Sequence, residues 1–257
     1  MHEAIKREVA VANRVLAATG LAGGMTAALG HASMRVPDAP DHFIVKGRGY
    51  AMDALAAMLP NDMIVCDLEG NFLEGPPGST QCFEVKMHSC IYKLYPDVQA
   101  VVHTHPRFTI LMTVLGQAIR PMRQEGVQLV RRELPLYNHM KTVQSDAEGM
   151  EVAGLIAGHQ AVLLRGHGAT TTGATLEQAV MNMLHLEEQA HMNYLAMSAA
   201  GPDYGYLPEA LIAETQGRTP LAEMPHFRDP IARAGGQPRV GGVWAYYAAQ
   251  VSTDLDG

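Results

Sequence analysis

The stretch Val101-Val102-His103-Thr104-His105-Pro106 constrains this chain more than any other. It is a short apolar run, readable as a β-strand, that ends in two histidines one residue apart. Side chains alternate faces along a strand, so His103 and His105 point to the same side. Neutral imidazole is the commonest protein donor to zinc and similar ions, which makes two of them at one strand end a ready pair of ligands. The same pattern also arises when one histidine packs and the other is solvated. Here the pair has company: a second apolar run, Ala161-Val162-Leu163-Leu164, closes on Arg165-Gly166-His167-Gly168. Glycines on both sides let the backbone approach closely and turn just after His167, although a histidine between glycines is also an ordinary turn residue. Three histidines at two strand ends match a catalytic metal site with an open position.

Composition narrows what such a site can serve. The 257 residues suffice for one large α/β domain or two small ones. A net charge of −7 without a Lys/Arg cluster argues against nucleic acid as a partner. No apolar run approaches the roughly 18–20 residues needed to span a membrane, so no membrane partner is expected. The start, Met1-His2-Glu3-Ala4-Ile5-Lys6-Arg7-Glu8, reads as a charged helix rather than a signal peptide. Cys66, Cys82 and Cys90 are odd in number and lack zinc-site spacing, which speaks against a disulfide framework. The cytoplasm is the expected compartment.

Periodicity predicts a helix over residues 1–19, stopping at Gly20, then a glycine-rich loop. A strand over 30–36, a turn over 37–41 and a returning strand over 42–46 form a hairpin. A glycine loop over 47–50 and a strand over 63–67, closed by Glu69-Gly70-Asn71, follow. A helix over 82–94 would carry Phe83, Met87, Cys90, Ile91 and Leu94 on one face, with Glu84 and His88 together on another. Beyond the His-x-His strand come a helix over 108–115, short strands and loops over 120–135, a helix over 147–156, and the longest helix, over 176–199. His185, Glu187, Glu188 and His191 look metal-like but read better as the polar side of an interface helix. From residue 201 the composition turns to Pro, Gly and polar residues. Residues 1–200 are therefore expected to form a catalytic domain. Residues 201–257 are expected to be a C-terminal tail packing on that domain or on a neighbouring subunit, with Trp244-Ala245-Tyr246-Tyr247 as its anchor.

Taken together, His103-Thr104-His105-Pro106, Gly166-His167-Gly168, an upstream helix bearing Glu84, and Gly30-His31-Ala32-Ser33-Met34-Arg35 resemble the class II aldolase/adducin family over roughly residues 5–200. The last segment is similar to that family's Gly-Asn-x-Ser-x-Arg. The resemblance implies an α/β fold, a central, mostly antiparallel β-sheet sandwiched by helices, and a homotetramer with active sites between subunits. It implies that His103, His105 and His167 are metal ligands and that Glu84 is a further ligand or the catalytic acid/base. The ion is expected to be Mn2+ or Zn2+, with Fe2+ or Co2+ also suited to such donors. Bound there, it would polarise a carbonyl or hydroxyl and stabilise the enolate left by C–C cleavage, while the carboxylate shuttles a proton.

Three departures from the family's sugar-phosphate aldolases redirect the substrate. His31 replaces Asn, Lys46-Gly47-Arg48-Gly49 replaces Thr-Gly, and Cys82-Phe83 replaces a Ser-Ser pair. A thiol and a phenyl ring cannot donate the hydrogen bonds a phosphate needs, whereas Lys46, Arg48 and Arg35 still suit a carboxylate. The Gly-His-x-Ser variant resembles the family's decarboxylase branch, which acts on hydroxy-methylpyridine dicarboxylate or dihydroxyphthalate. That resemblance implies a small-molecule carboxylate substrate. His31 and Ser33 would touch its oxygens, and Lys46, Gly47 or Arg48 a second carboxylate. His88 would orient Glu84 or touch the ligand, and His226 would reach a neighbouring site. Solvated loop charges at Lys46 and Arg48, a partly buried structural His88 and a surface His226 are the alternatives. The leading expectation is a metal-dependent lyase that decarboxylates a hydroxylated aromatic or pyridine carboxylate, and the runner-up an aldolase for a non-phosphorylated hydroxy-oxo acid. An adducin-like module would lack the ligands, and an iron-dependent oxygenase would require Fe(II) and dioxygen.

Overall fold

Alternating side chains along the strands sort onto two faces of one sheet, and each face is covered by its own helices. The computed structural model describes residues 2–217, 219–235 and 242–255. Its first half contains α1 (Glu3–Ala18), β1 (His31–Val36), β2 (Ala39–Lys46), β3 (Met63–Asp67), β4 (Phe72–Glu74), α2 (Val85–Leu94), β5 (Ala100–Thr104) and α3 (Arg107–Leu115). A single turn α4 (Val127–Val130), β6 (Leu136–Tyr137), α5 (Asp146–Leu155), β7 (Ala161–Leu164), β8 (Gly168–Gly173) and the long α6 (Leu176–Ala200) follow. The C-terminal part adds α7 (Glu209–Ala213), α8 (Pro225–Arg233) and α9 (Val243–Val251).

The strands form one 8-stranded sheet in the order β4-β3-β2-β1-β5-β8-β7-β6. Only β6 and β7 run parallel among the described pairs; the others are antiparallel. Ala32, Ile44, Val102, Leu163 and Ala169 face α1, α3 and α6. Phe43, Val45, Val101, Val162 and Leu164 face α2 and α5. The expected three-layer, mostly antiparallel sheet is what the chain forms. His103 alternates with Val102 and shares a face with Val101, so it lies on the α2 face, and that placement decides where the site can be.

The structure corrects several local expectations. The first hairpin turns more tightly than predicted, because β2 already begins at Ala39. Residues 120–135 hold a helical turn rather than short strands, and the short strand is β6, just beyond them. β4 is a three-residue edge strand, too short to give a periodic signal. β8, Gly-Ala-Thr-Thr-Thr-Gly, carries no large apolar residue, yet every position of it is buried. α2 starts at Val85 because Glu84 is its N-cap residue, so the predicted apolar face is shorter at both ends. Met87, Cys90 and Ile91 are buried, whereas Phe83 is 63% and Leu94 41% exposed.

In the C-terminal part, Trp244, Tyr247 and Val251 of α9 pack on the core beside α1. Arg14 of α1 donates through Nη1 to the Val251 and Thr253 carbonyls, both at 3.1 Å.

α2, which carries part of the site, is seated by α5 through one very close crossing. A Cβ added at Gly149 would lie 2.7 Å from both Cys90 Sγ and the Lys86 carbonyl oxygen. Gly149→Val should therefore force the two helices apart and lower stability by about 1–3 kcal/mol. The check is the urea midpoint, and an unchanged midpoint would mean the crossing is looser than described.

Candidate metal centre

The site begins with strand register. His103 on β5 pairs with His31 on β1 and with Thr170 on β8, so three polar side chains stand abreast on the α2 face. Thr170 Oγ1 lies 2.9 Å from Met87 Sδ, to which it donates, and 3.1 Å from His103 Nδ1. It is thus placed to accept from an Nδ1–H, which leaves the Nε2 lone pair of His103 facing inward. Outer-shell bonds of this kind fix the tautomer of metal-binding histidines.

His105 follows the last residue of β5, and its Nε2 lies 3.1 Å from His103 Nε2. Pro106 then caps α3, whose first turn is clamped from the neighbouring layer. The Glu187 carboxylate on α6 accepts from the backbone N–H groups of Phe108 at 2.8 Å and Thr109 at 2.9 Å, and from Thr109 Oγ1 at 2.8 Å. Glu187 therefore works inside the molecule, where it fixes the chain leaving His105. His191 stacks on Phe108 with ring centroids 3.9 Å apart.

His167 sits in the β7–β8 hairpin. Gly166 before it adopts φ +64°, a left-handed conformation that favours glycine. Gly168 after it passes so close to β5 that a Cβ there would collide with the Thr104 carbonyl. Both glycines flanking His167 thus have a physical reason.

Glu84 reaches the same point from the N-terminus of α2. Its Oε2 is 3.1 Å from His103 Nε2 and 3.9 Å from His31 Nε2, and its Oε1 is 3.6 Å from His167 Nε2. Val143 N–H donates to Oε1 at 3.2 Å. The donor atoms of Glu84, His103, His105 and His167 all lie within 4.8 Å of one another. Atoms around one ion at bond lengths of about 2.1 Å and tetrahedral angles stand about 3.4 Å apart. The observed 3.1, 3.1 and 3.6 Å separations bracket that value, so this donor set could hold a divalent ion.

The electrostatics agree with that use. Burial alone would raise the Glu84 carboxyl, but His103, with help from His31 and His167, pulls it well below the carboxylate range. Burial, and then the neighbouring His103 and His167, push His105 down to about 3. His167 is lowered by burial and by His103 in the same way. The centre therefore combines a carboxylate anion with neutral imidazoles at His105 and His167, the protonation states that metal coordination requires.

The other predicted residues are distributed unevenly. His31 is at the centre, and His88 is directly behind it, with His88 Nε2 2.7 Å from His31 Nδ1. His88 bonds His31 rather than orienting Glu84. Ser33 is buried behind both, 2.6 Å from His88 Nδ1 and 2.7 Å from Tyr92 Oη, so its hydroxyl is engaged within the protein. Arg35 is spent on the carbonyls of Val98, Pro40, Tyr92 and Tyr95. Gly47 gives its N–H to the Asp62 carbonyl at 3.0 Å. Lys46 is buried; burial lowers its pKa, and Asp53 and Asp62 act on its ammonium only at a distance. Arg48 stacks over Phe83 at 4.2 Å and lies 3.8 Å from Asp53. His226 is exposed on α8, against Phe227, and is not part of this cluster within one chain. A cavity of about 500 Å³ opens beside His105, lined also by Gly20, Gly23, Met25, Thr26, Arg107 and Ile110.

A three-layer α/β/α fold with three imidazoles and a carboxylate converging at its central strand ends defines a recognisable class of enzyme scaffold, with donors that could hold a metal ion. The chain belongs to the class II aldolase and adducin family: residues 7–194 match the family's Class II Aldolase and Adducin N-terminal domain. It is 32% identical over 222 residues to a 3,4-dihydroxyphthalate decarboxylase of Arthrobacter keyseri, spanning 83% of this chain and 86% of that one. A 3,4-dihydroxyphthalate decarboxylase of Terrabacter sp. strain DBF63 is 29% identical, over 91% of this chain and 98% of its own. The fold is similar to that of an L-fuculose 1-phosphate aldolase from Glaciozyma antarctica PI12, with a TM-score of 0.72 at 22% identity over 99% of this chain and 89% of that chain. Among the described residues no helix is long and apolar enough to cross a membrane.

If these donors bind one ion, His103→Ala and His167→Ala should each lose it while keeping the wild-type circular dichroism spectrum. Elemental analysis after gel filtration gives the measurement, and stoichiometric metal in either variant would remove that histidine from the ligand set.

Proposed function

We propose that this carbon–carbon lyase is a metal-dependent decarboxylase acting on a hydroxylated aromatic or pyridine carboxylate. In this proposal His103, His105 and His167 hold the divalent ion, and Glu84 is the acid/base. The observation that carries it is the state of the loop beside Glu84, where a sugar phosphate would need hydrogen-bond donors. The N–H of Gly47 is given to Asp62, and Arg48 and Thr80 exchange both backbone bonds at 3.0 Å. Cys82 is buried, and Arg48 stacks on the exposed Phe83 ring. With those donors spent, a phosphate dianion finds little to bind. A carboxylate needs fewer partners, and the buried Lys46 ammonium suits it. The relatives named 3,4-dihydroxyphthalate decarboxylase support the same substrate class.

A divalent ion in this site supplies Lewis-acid polarisation of a substrate oxygen and stabilises charge as CO2 leaves. The protein's own part starts with Glu84. Val143 N–H holds Oε1, so Oε2 is the oxygen that can take a hydroxyl proton and return it to carbon. General acid–base catalysis of this kind contributes on the order of 10²–10⁴-fold. Lys46 anchors a second carboxylate and sets the ring's orientation. The proposal includes assembly into a homotetramer, in which His226 on exposed α8 reaches a neighbouring subunit's site.

Glu84→Gln should keep the fold and lose at least about 10²-fold in turnover; wild-type turnover would remove Glu84 from the mechanism. The test of the function itself is CO2 release. Protein loaded with Mn(II), Zn(II) or Fe(II) would meet a panel of ortho-hydroxylated benzene and pyridine mono- and dicarboxylates, without oxygen. Metal-dependent CO2 from one compound is the expected result. Silence across the panel with metal bound would point instead to aldol cleavage of a non-phosphorylated hydroxy-oxo acid.

A further inference from the structure

Behind the metal centre runs a buried chain of hydrogen bonds that the proposed reaction does not itself require. His31 Nδ1 is 2.7 Å from His88 Nε2, His88 Nδ1 is 2.6 Å from Ser33 Oγ, and Ser33 Oγ is 2.7 Å from Tyr92 Oη. All four side chains are buried, so each donor needs an acceptor within the chain.

That requirement gives the chain a direction. The Tyr92 phenol oxygen meets the Val101 backbone, which acts on it as a donor, and Ser33 Oγ at 2.7 Å, so the phenol's own hydrogen goes to Ser33. Ser33 must then place its own hydrogen elsewhere. His88 Nδ1 at 2.6 Å is the near acceptor, and the Val101 carbonyl at 3.5 Å the distant one. A neutral His88 that accepts at Nδ1 carries its hydrogen on Nε2 and donates it to His31 Nδ1. A neutral His31 that accepts at Nδ1 carries its hydrogen on Nε2, the nitrogen facing the metal centre. There the nearest carboxylate oxygen, Glu84 Oε2, is 3.9 Å away, beyond hydrogen-bonding range.

We infer that Tyr92, Ser33 and His88 lock His31 into the Nε2–H tautomer, so that it presents an unspent N–H donor to an oxygen of the substrate. His31 is then a substrate-binding donor, and His88, Ser33 and Tyr92 are positioning residues that act through it. Burial first, then neighbouring imidazoles, keep both rings neutral, with His88 pushed down to about 3 and His31 also well below the ordinary histidine range. Burial also raises the Tyr92 phenol far above its usual range. Passing a proton along the whole chain would leave a buried tyrosinate, so the chain holds a proton in place rather than delivering one. The donor's role toward substrate rests on the decarboxylase proposal, whereas the tautomer does not.

The tautomer can be read directly. Long-range proton–nitrogen NMR on histidine-labelled protein, metal-free and Zn(II)-loaded, distinguishes protonated from acceptor ring nitrogens. The His31 signals are assigned by their loss in His31→Asn. The expected result is Nδ1 as acceptor and Nε2 protonated at both His31 and His88. An Nδ1–H tautomer or an imidazolium at His31 overturns the inference. Tyr92→Phe keeps the ring packing and removes the hydrogen that sets the direction, and Ser33→Ala breaks the chain. Both should shift His31 toward a mixture of tautomers and raise KM several-fold with metal content unchanged. A His31 tautomer unmoved in both variants would also overturn it. A locked tautomer in a protein that releases no CO2 would sustain the lock and discard the decarboxylase.

Discussion

The central antiparallel register of β1, β5 and β8 is the constraint on which everything at the site depends. It sets His31, His103 and Thr170 side by side on one face. A slip of one residue would turn all three toward α1 and α6 and bring apolar neighbours to the α2 side. The apolar alternation of the same strands opposes that slip. Val102 and Ala32 fill one layer, Val101 and Val45 the other, and all four are fully buried. The geometry of the polar centre is thus held by hydrophobic burial around it, more than by contacts among the polar groups.

Those polar groups are held under electrostatic tension. An anionic Glu84 is buried with imidazoles whose own protonation burial opposes. Each buried polar atom left without a partner costs about 1–3 kcal/mol, and the surroundings supply partners to several of these groups, though not to His167 Nδ1. Thr170 serves His103, Val143 serves Glu84, and Glu187 serves the start of α3. The Glu84 carboxylate also faces the shared centre of the four donors, where a cation could sit.

Much of this was legible in the chain because it lies on short, periodic segments. His103 and His105 are separated by the strand repeat, His167 is flanked by glycines that its hairpin requires, and Glu84 falls at the start of a helix. The three-layer fold and mostly antiparallel sheet were legible only through the family resemblance that these motifs carry. β8 was illegible because threonine and glycine carry no hydrophobic signal, although the strand lies at the middle of the sheet. Thr170 was hidden with it. Tyr92 and Glu187 were hidden for another reason: their partners are distant in sequence, so only tertiary structure shows that one orients a histidine chain and the other clamps a helix. Ser33, Gly47 and Arg35 have the chemistry for substrate contact, but their donors are already committed to the protein.

The four donors come from three places on the chain: the start of α2, the end of β5, and the β7–β8 hairpin. An ion shared among them would tie together segments as far apart in sequence as Glu84 and His167, much as a cross-link does. It would draw the hairpin onto the sheet's central strand and brace both against the helix layer. Because a cation of this kind binds the folded arrangement and not the open chain, its free energy of binding adds to that of folding. The catalytic centre would then double as a rivet, and the supply of metal would govern how long the protein persists as well as how fast it works.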